Sequence, residues 1–184
     1  SIYTPQLLCT DQIDKMAMIL NQSYCGSGTA EENWVACDYF SRMSCRATAD
    51  FIPAMLRMAG KTAQQVREEG WELTREQLEN MSRTEHLRWC AFHFCMGFAP
   101  MTPEEYDARE AKYLQQVAAG EKPLRVGKNM QDRTHACLIG WEELDALSQR
   151  ESRMTGRELD YKAMDADNVR LIPELLQAQG KSEV

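Results

Sequence analysis

Three side chains with metal-binding chemistry, His86, Cys90 and His93, stand at i, i+4 and i+7 of one segment. On a helix that spacing puts them on a common face, and thiolate with imidazole suits zinc. The only second cluster is His135 with Cys137, and the spacing matches no standard zinc motif. A helix flank packed beneath a neighbour, with each histidine hydrogen-bonded, is the better reading, and no metal is expected. Glu85 and His86 pair a carboxylate with an imidazole, which is the equipment of acid–base catalysis. Adjacent helical residues diverge by about 100°, however, so the two do not easily serve one atom. The chain has no GxSxG, Gly-rich phosphate loop, HExxH or paired acidic motif. A metal-dependent enzyme is therefore the least favoured class, and the expectation is a protein that is not an enzyme. A third set, Tyr24, Trp34, Trp89 and Trp141, could form a stacking wall for a planar base, with arginines holding an anion. For any single tryptophan, core packing is the simpler role.

The elements that must hold these groups read as helices. Four Ser/Thr-x-x-Glu/Gln capping boxes stand at Thr29–Glu32, Thr62–Gln65, Thr74–Gln77 and Thr102–Glu105. Pro103 follows the last, at a position where its missing N–H costs nothing. Glycines at 60, 70, 97, 120 and 180 mark helix ends. Together they predict helices over 11–23, 30–43, 45–59, 63–69, 75–96, 103–118, 142–150 and 166–178, with Pro53 kinking or splitting the third. Residues 121–141 lack a helical period and have room for a short strand or two. In the 75–96 helix, Leu78, Met81, Trp89, Phe92 and Met96 form one apolar stripe. Glu85 lies on that stripe, so its carboxylate must be paired or hydrogen-bonded.

Composition narrows the class. The 184 residues are 43% hydrophobic and 27% charged, ordinary for a globular protein. No apolar run approaches the roughly 20 residues of a membrane span, and the first residues do not have the pattern of a signal peptide. Net charge is −7, from 21 Lys and Arg against 28 Asp and Glu, which argues against a nucleic-acid partner. Residues 121–141 are locally basic, with Lys122, Arg125, Lys128 and Arg133 against Glu121 and Asp132. Seven cysteines without a CxxC pair read as small buried hydrophobes in a reducing cytoplasm. The sequence opens without Met, so a piece of a longer protein is expected.

Two segments, RTEHLRWCAFHFCMGF (residues 83–98) and RTHACLIGWEEL (residues 133–144), resemble the ryanodine receptor repeat domain, including its stand-alone bacterial relatives. The family pattern falls on Glu85, His86, Trp89, Gly97, Phe98, His135, Leu138 and Leu144. An upstream pattern of that family is met by Tyr24, Trp34, Ser44, Arg46 and Ala49. Three departures are visible: Phe98 replaces a Trp, Ala136 replaces a common Pro, and residues 99–128 form an insertion with its own capped helix. Asn21–Tyr24 also echoes His86–Trp89. Because the family repeats occur in tandem with approximate two-fold symmetry, the resemblance implies two helical halves, 11–60 and 74–165, packed as one 1–184 domain with Tyr24 and Trp89 near a shared seam. It further implies a regulatory, non-catalytic cytoplasmic module, fused to or associated with other domains. Its ligand would be small and nucleotide-like, in the tandem form an adenine nucleotide.

The expectation is thus a mainly α protein with short irregular or β segments, requiring no cofactor and binding a small ligand. Tyr24, Trp34 and Trp89 would stack, His86, His93, His135 and Arg46 would make polar or anion contacts, and Glu85 would orient the ligand. The competing class is a docking module whose apolar surface meets another protein.

Overall fold

A computed structural model describes residues 12–180, with side chains from Asp14 to Ala178. The chain is mainly α, with three two-residue strands among the described residues. The helices are α1 (Gln12–Cys25), α2 (Ala30–Ala36), α3 (Tyr39–Asp50), α4 (Ile52–Ala59), α5 (Ala63–Glu69), α6 (Arg75–Cys95), α7 (Pro103–Ala118), α8 (Leu144–Thr155), α9 (Tyr161–Arg170) and α10 (Ile172–Gly180). A 3₁₀ turn, Trp141–Glu143, precedes α8.

Local chemistry sets the boundaries. Both halves of the capping boxes at Thr29, Thr62 and Thr74 form. At Thr102 only half forms, because Thr102 accepts from the Glu105 amide while the Glu105 carboxylate turns to Thr134 and Asn129. The expected 30–43 helix is two, since the Asp38 carboxylate accepts from Ser41 N–H at 2.7 Å and starts α3 afresh. An aspartate offers the backbone this alternative to a continued helix. The expected 45–59 helix begins instead at Tyr39 and is divided at Phe51, where Pro53 enters the first turn of α4. The expected 166–178 helix starts earlier, with Asp160 receiving the Ala163 N–H, and is divided at Leu171 just before Pro173. The 142–150 helix runs on to Thr155 and stops at left-handed Gly156.

Contacts divide the chain into two compact units, 1–89 with 166–184, and 90–165. The sequence placed a division between residues 60 and 74; the contacts place it inside α6, between Trp89 and Cys90, and return the C-terminal helices to the first unit. In that unit α1 packs on α2, α3 and α10, and α10 on α5. Its core gathers Ala17, Leu20, Ala49, Ile52, Met55, Val66, Met81, Val169 and Leu175, each at most 3% exposed.

In the second unit, β1 (Ala99–Pro100) runs parallel to β3 (Thr134–His135), which pairs antiparallel with β2 (Lys128–Asn129). The order is β1-β3-β2. Helix α7 contributes Tyr106 to a small core with Val126 and Ala136. Arg109 fastens α7 to the following loop by donating to three carbonyls, those of Arg125, Val126 and Lys128, at 2.7 to 2.9 Å. The C-terminus of α6 closes on Gly97, at φ 80°, with Phe98 N–H returning to His93 O at 2.9 Å. That pattern requires the left-handed backbone glycine adopts freely.

Candidate functional site

In the first unit the candidates gather around a buried ion pair. Glu85 is 2% exposed, and Arg88 grips both of its oxygens, Nε to Oε2 at 2.8 Å and Nη2 to Oε1 at 2.7 Å. The i,i+3 spacing on α6 brings the two together. Helix α9 adds Asn168, whose amide donates to Glu85 Oε1 at 3.4 Å, and Tyr24 on α1 donates its hydroxyl to Asn168 Oδ1 at 2.8 Å. Three helices distant in sequence thus share one chain of polar contacts, Tyr24–Asn168–Glu85–Arg88.

Tyr24 has two environments. The residue is 65% exposed, yet its hydroxyl is turned inward and burial there pushes the phenol up to about 12. Its hydroxyl is held at the far end by Asn168. Two buried donors of this unit lack hydrogen-bond partners: Arg88 Nη1, and Nδ2 of Asn21, three residues before Tyr24 on α1. Asn21 Oδ1 is engaged, accepting from the Cys37 thiol at 3.3 Å. Cys45 is buried, and desolvation pushes its thiol up to about 12. A small cavity touches Glu85, Asn168 and Thr48 and is otherwise walled by Ile52, Met55, Val169, Ile172 and Leu175.

The other candidates of this unit are differently placed. Trp34 is buried, and the guanidinium groups of Arg42 and Arg46 lie over its ring at 5.8 and 5.6 Å. Arg46 also grips Asp14 through two contacts, 2.5 and 2.7 Å, so its charge is already met. His86 is 3% exposed and stacks on half-buried Trp89, with centroids 6.1 Å apart and planes 13° from parallel.

In the second unit His93 and His135, 2% and 3% exposed, meet edge to face at 5.4 Å. His93 packs the same way on Phe98 at 5.2 Å. His135 Nδ1 accepts the Cys137 N–H at 3.1 Å, which leaves the ring proton on Nε2. Burial first, then the charges of His93, Arg125 and Lys128, push His135 down to about 2. It is a neutral imidazole at physiological pH and offers an anion no charge. Trp141 is buried, with the Lys162 ammonium 5.3 Å above its ring.

Sequence reading overlooked a second buried carboxylate here. Glu151, 7% exposed, takes the hydroxyls of Tyr161 and, at 3.4 Å, Tyr106. Burial raises both phenols above the ordinary range, and it raises the nearby Cys137 thiol as well. Among the described residues no three His, Cys, Asp or Glu side chains are placed to hold one metal ion. No described helix is long and apolar enough to cross a membrane. Both carboxylates are held by hydrogen bonds from side chains on other elements. No protein-family model, curated protein or solved structure matches this chain.

Proposed function

We propose that this chain is a non-enzymatic regulatory module that binds a small, nucleotide-like ligand, as the resemblance to the ryanodine receptor repeat implies, with Tyr24 as the stacking face. One observation carries the reading: Tyr24, a residue 65% exposed, is held through its hydroxyl by Asn168 at 2.8 Å. An exposed ring whose orientation is already fixed gives up little freedom when a base stacks on it. Trp89, half-buried and backed by His86, supplies a second aromatic border. The module is cytoplasmic in this reading, an associated part of a larger protein, and has no nucleic-acid partner.

A thermal-shift screen of the whole chain against nucleotides and dinucleotides tests this. A ligand that binds the native state raises the melting temperature by mass action. Tyr24→Ala should then weaken the bound compound by about 5- to 150-fold, since base–aromatic stacking is worth about 1–3 kcal/mol. Tyr24→Phe, which keeps the ring, should lose much less. A panel without a single shift would sink the reading. It would favour the docking alternative, for which Leu114 and Val117 on α7, i and i+3 and about half exposed, give a starting surface.

A further inference from the structure

We propose that Cys25 and Cys37 are a modification site: they form a reversible disulfide, made and broken by exchange with a low-molecular-weight thiol–disulfide couple such as glutathione, that ties the end of α1 to the end of α2. The site is independent of any ligand at Tyr24.

Both cysteines stand at helix ends in the first unit. Cys25 is the last residue of α1, and Cys37 caps the C-terminus of α2, its N–H returning to Trp34 O. The Cys37 thiol donates to Asn21 Oδ1 at 3.3 Å, so its sulfur lies against α1. Cys25 follows Asn21 at i+4, the next side chain along that face, and such pairs have Cβ atoms about 5–6 Å apart. Helical side chains lean toward the N-terminus, which tips Cys25 back toward Asn21 and the Cys37 sulfur. Asn33 holds α2 to this end of α1, donating Nδ2 to Gln22 Oε1 and to Ser27 O, each at 2.6 Å. A disulfide needs Cα atoms within about 7 Å, and Cys25 is free to complete the approach. Gly26 and Gly28 follow it at φ 70° and 78°, a Cβ at Gly26 would meet nothing, and a helix's last turn opens at little cost.

Accessibility sets the order of steps. Cys25 is exposed and Cys37 half-buried, whereas Cys45 is buried. Burial first, then Asp38, holds the Cys37 thiol up, and Cys25 adds to the effect. The Cys25 thiolate therefore attacks glutathione disulfide first, forming a mixed disulfide and releasing one glutathione thiolate. The Cys37 thiolate then attacks Cys25 Sγ, and the second glutathione thiolate leaves. The two protein thiols give up two electrons and two protons, and glutathione disulfide becomes two glutathione thiols. Excess glutathione thiol reverses both steps.

The experiment incubates the folded full chain with glutathione disulfide, caps free thiols with iodoacetamide and digests without reduction. Residues 16–42 form one tryptic peptide, which holds Cys25 and Cys37 and no other cysteine. It should appear two hydrogens lighter than its thiol form and carry no alkyl group. A glutamyl endopeptidase, cutting after Glu31 and Glu32, should leave its halves joined until dithiothreitol is added. Cys37→Ser should stop at a glutathione adduct on Cys25, and Cys25→Ser should slow oxidation of Cys37 severalfold. The oxidised chain should melt no lower than the reduced one. The proposal is overturned by a native peptide that carries two alkyl groups, by glutathione that stays on Cys25 although Cys37 is present, by a disulfide that forms only in urea, or by an oxidised chain that melts several degrees lower.

Discussion

Glu85 and Arg88 meet one turn apart on α6 in a two-point ion pair at 2.7 and 2.8 Å, with side chains only 3% and 8% exposed. Removing one member of such a pair leaves the other charge buried without its counterpart, which costs about 3–5 kcal/mol. Glu85→Ala should therefore lower the melting temperature by roughly 6–20 °C, at about 2–4 °C per kcal/mol for a chain of this size. Replacing both residues with apolar ones, Glu85→Leu with Arg88→Met, should recover most of that loss. Thermal denaturation of the single and double variants checks it, and a single variant that melts like the native chain would show the carboxylate to be solvated.

How much of this was legible follows from sequence distance. Glu85 stood out because a carboxylate interrupted the apolar stripe from Leu78 to Met96, and Arg88 lies within the local i,i+3 reach that accompanies a helix. Asn168 is 83 residues from Glu85, and nothing in a period or cap brings α9 to α6. Trp34 illustrates the opposite failure. Its type suggested stacking, but the ring is covered by Arg42 and Arg46, a matter of tertiary packing. Helix starts were readable where Ser or Thr opened a complete box. They were misplaced at Asp38 and Asp160, where an aspartate caps within a helical pattern. Glu151 escaped notice because its partners, Tyr106 and Tyr161, lie on other helices.

The acid limb of stability should carry the signature of His135. Its ordinary value is near 6.5, and in the folded chain it is pushed down to about 2. Below pH 6.5 the unfolded chain takes up a proton that the folded chain refuses. The contribution is therefore complete above 6.5 and declines as pH falls toward 2, by up to about 1.4 kcal/mol per pH unit. His135→Asn retains an acceptor near the Cys137 N–H and does not titrate. Urea denaturation from pH 7 to 4.5 should show a shallower acid decline in that variant. Parallel curves for the two proteins would contradict the buried neutral imidazole.

Gly127 makes room for Glu151. A Cβ at this position would stand 2.5 Å from Glu151 Oε1 and 3.6 Å from Ala136 Cβ, and the carboxylate is held by Tyr161 and Tyr106. Gly127→Ala should cost about 1–3 kcal/mol through overpacking. Adding it to Glu151→Ala should cost much less than adding it to the native chain, a coupling expected only of residues in contact. Chemical denaturation of the four members of this cycle reads the coupling, and strict additivity would place the obstruction elsewhere.

Arg109 makes a sharper prediction because its work depends on shape as well as charge. One guanidinium donates Nε to the Val126 carbonyl at 2.9 Å and Nη2 to those of Arg125 and Lys128 at 2.7 and 2.8 Å. A planar fork can serve three carbonyls from one fixed position, whereas a lysine ammonium is a point charge on a flexible stem. Arg109→Lys keeps the charge and most of the aliphatic stem, so the helical packing of α7 should persist. The carbonyls of 125–128 would lose their common anchor, and the loop leading into β2 should open more often. Amide hydrogen exchange reads this directly, because protection reports local opening. Exchange should quicken severalfold at residues 125–129 and at Ala136, whose N–H donates to Gly127 O at 2.8 Å. Protection on α1 and α3 should stay as it was. If exchange at 125–136 is unchanged in the lysine variant, the loop is held by the β2–β3 pairing, and Arg109 contributes only its charge.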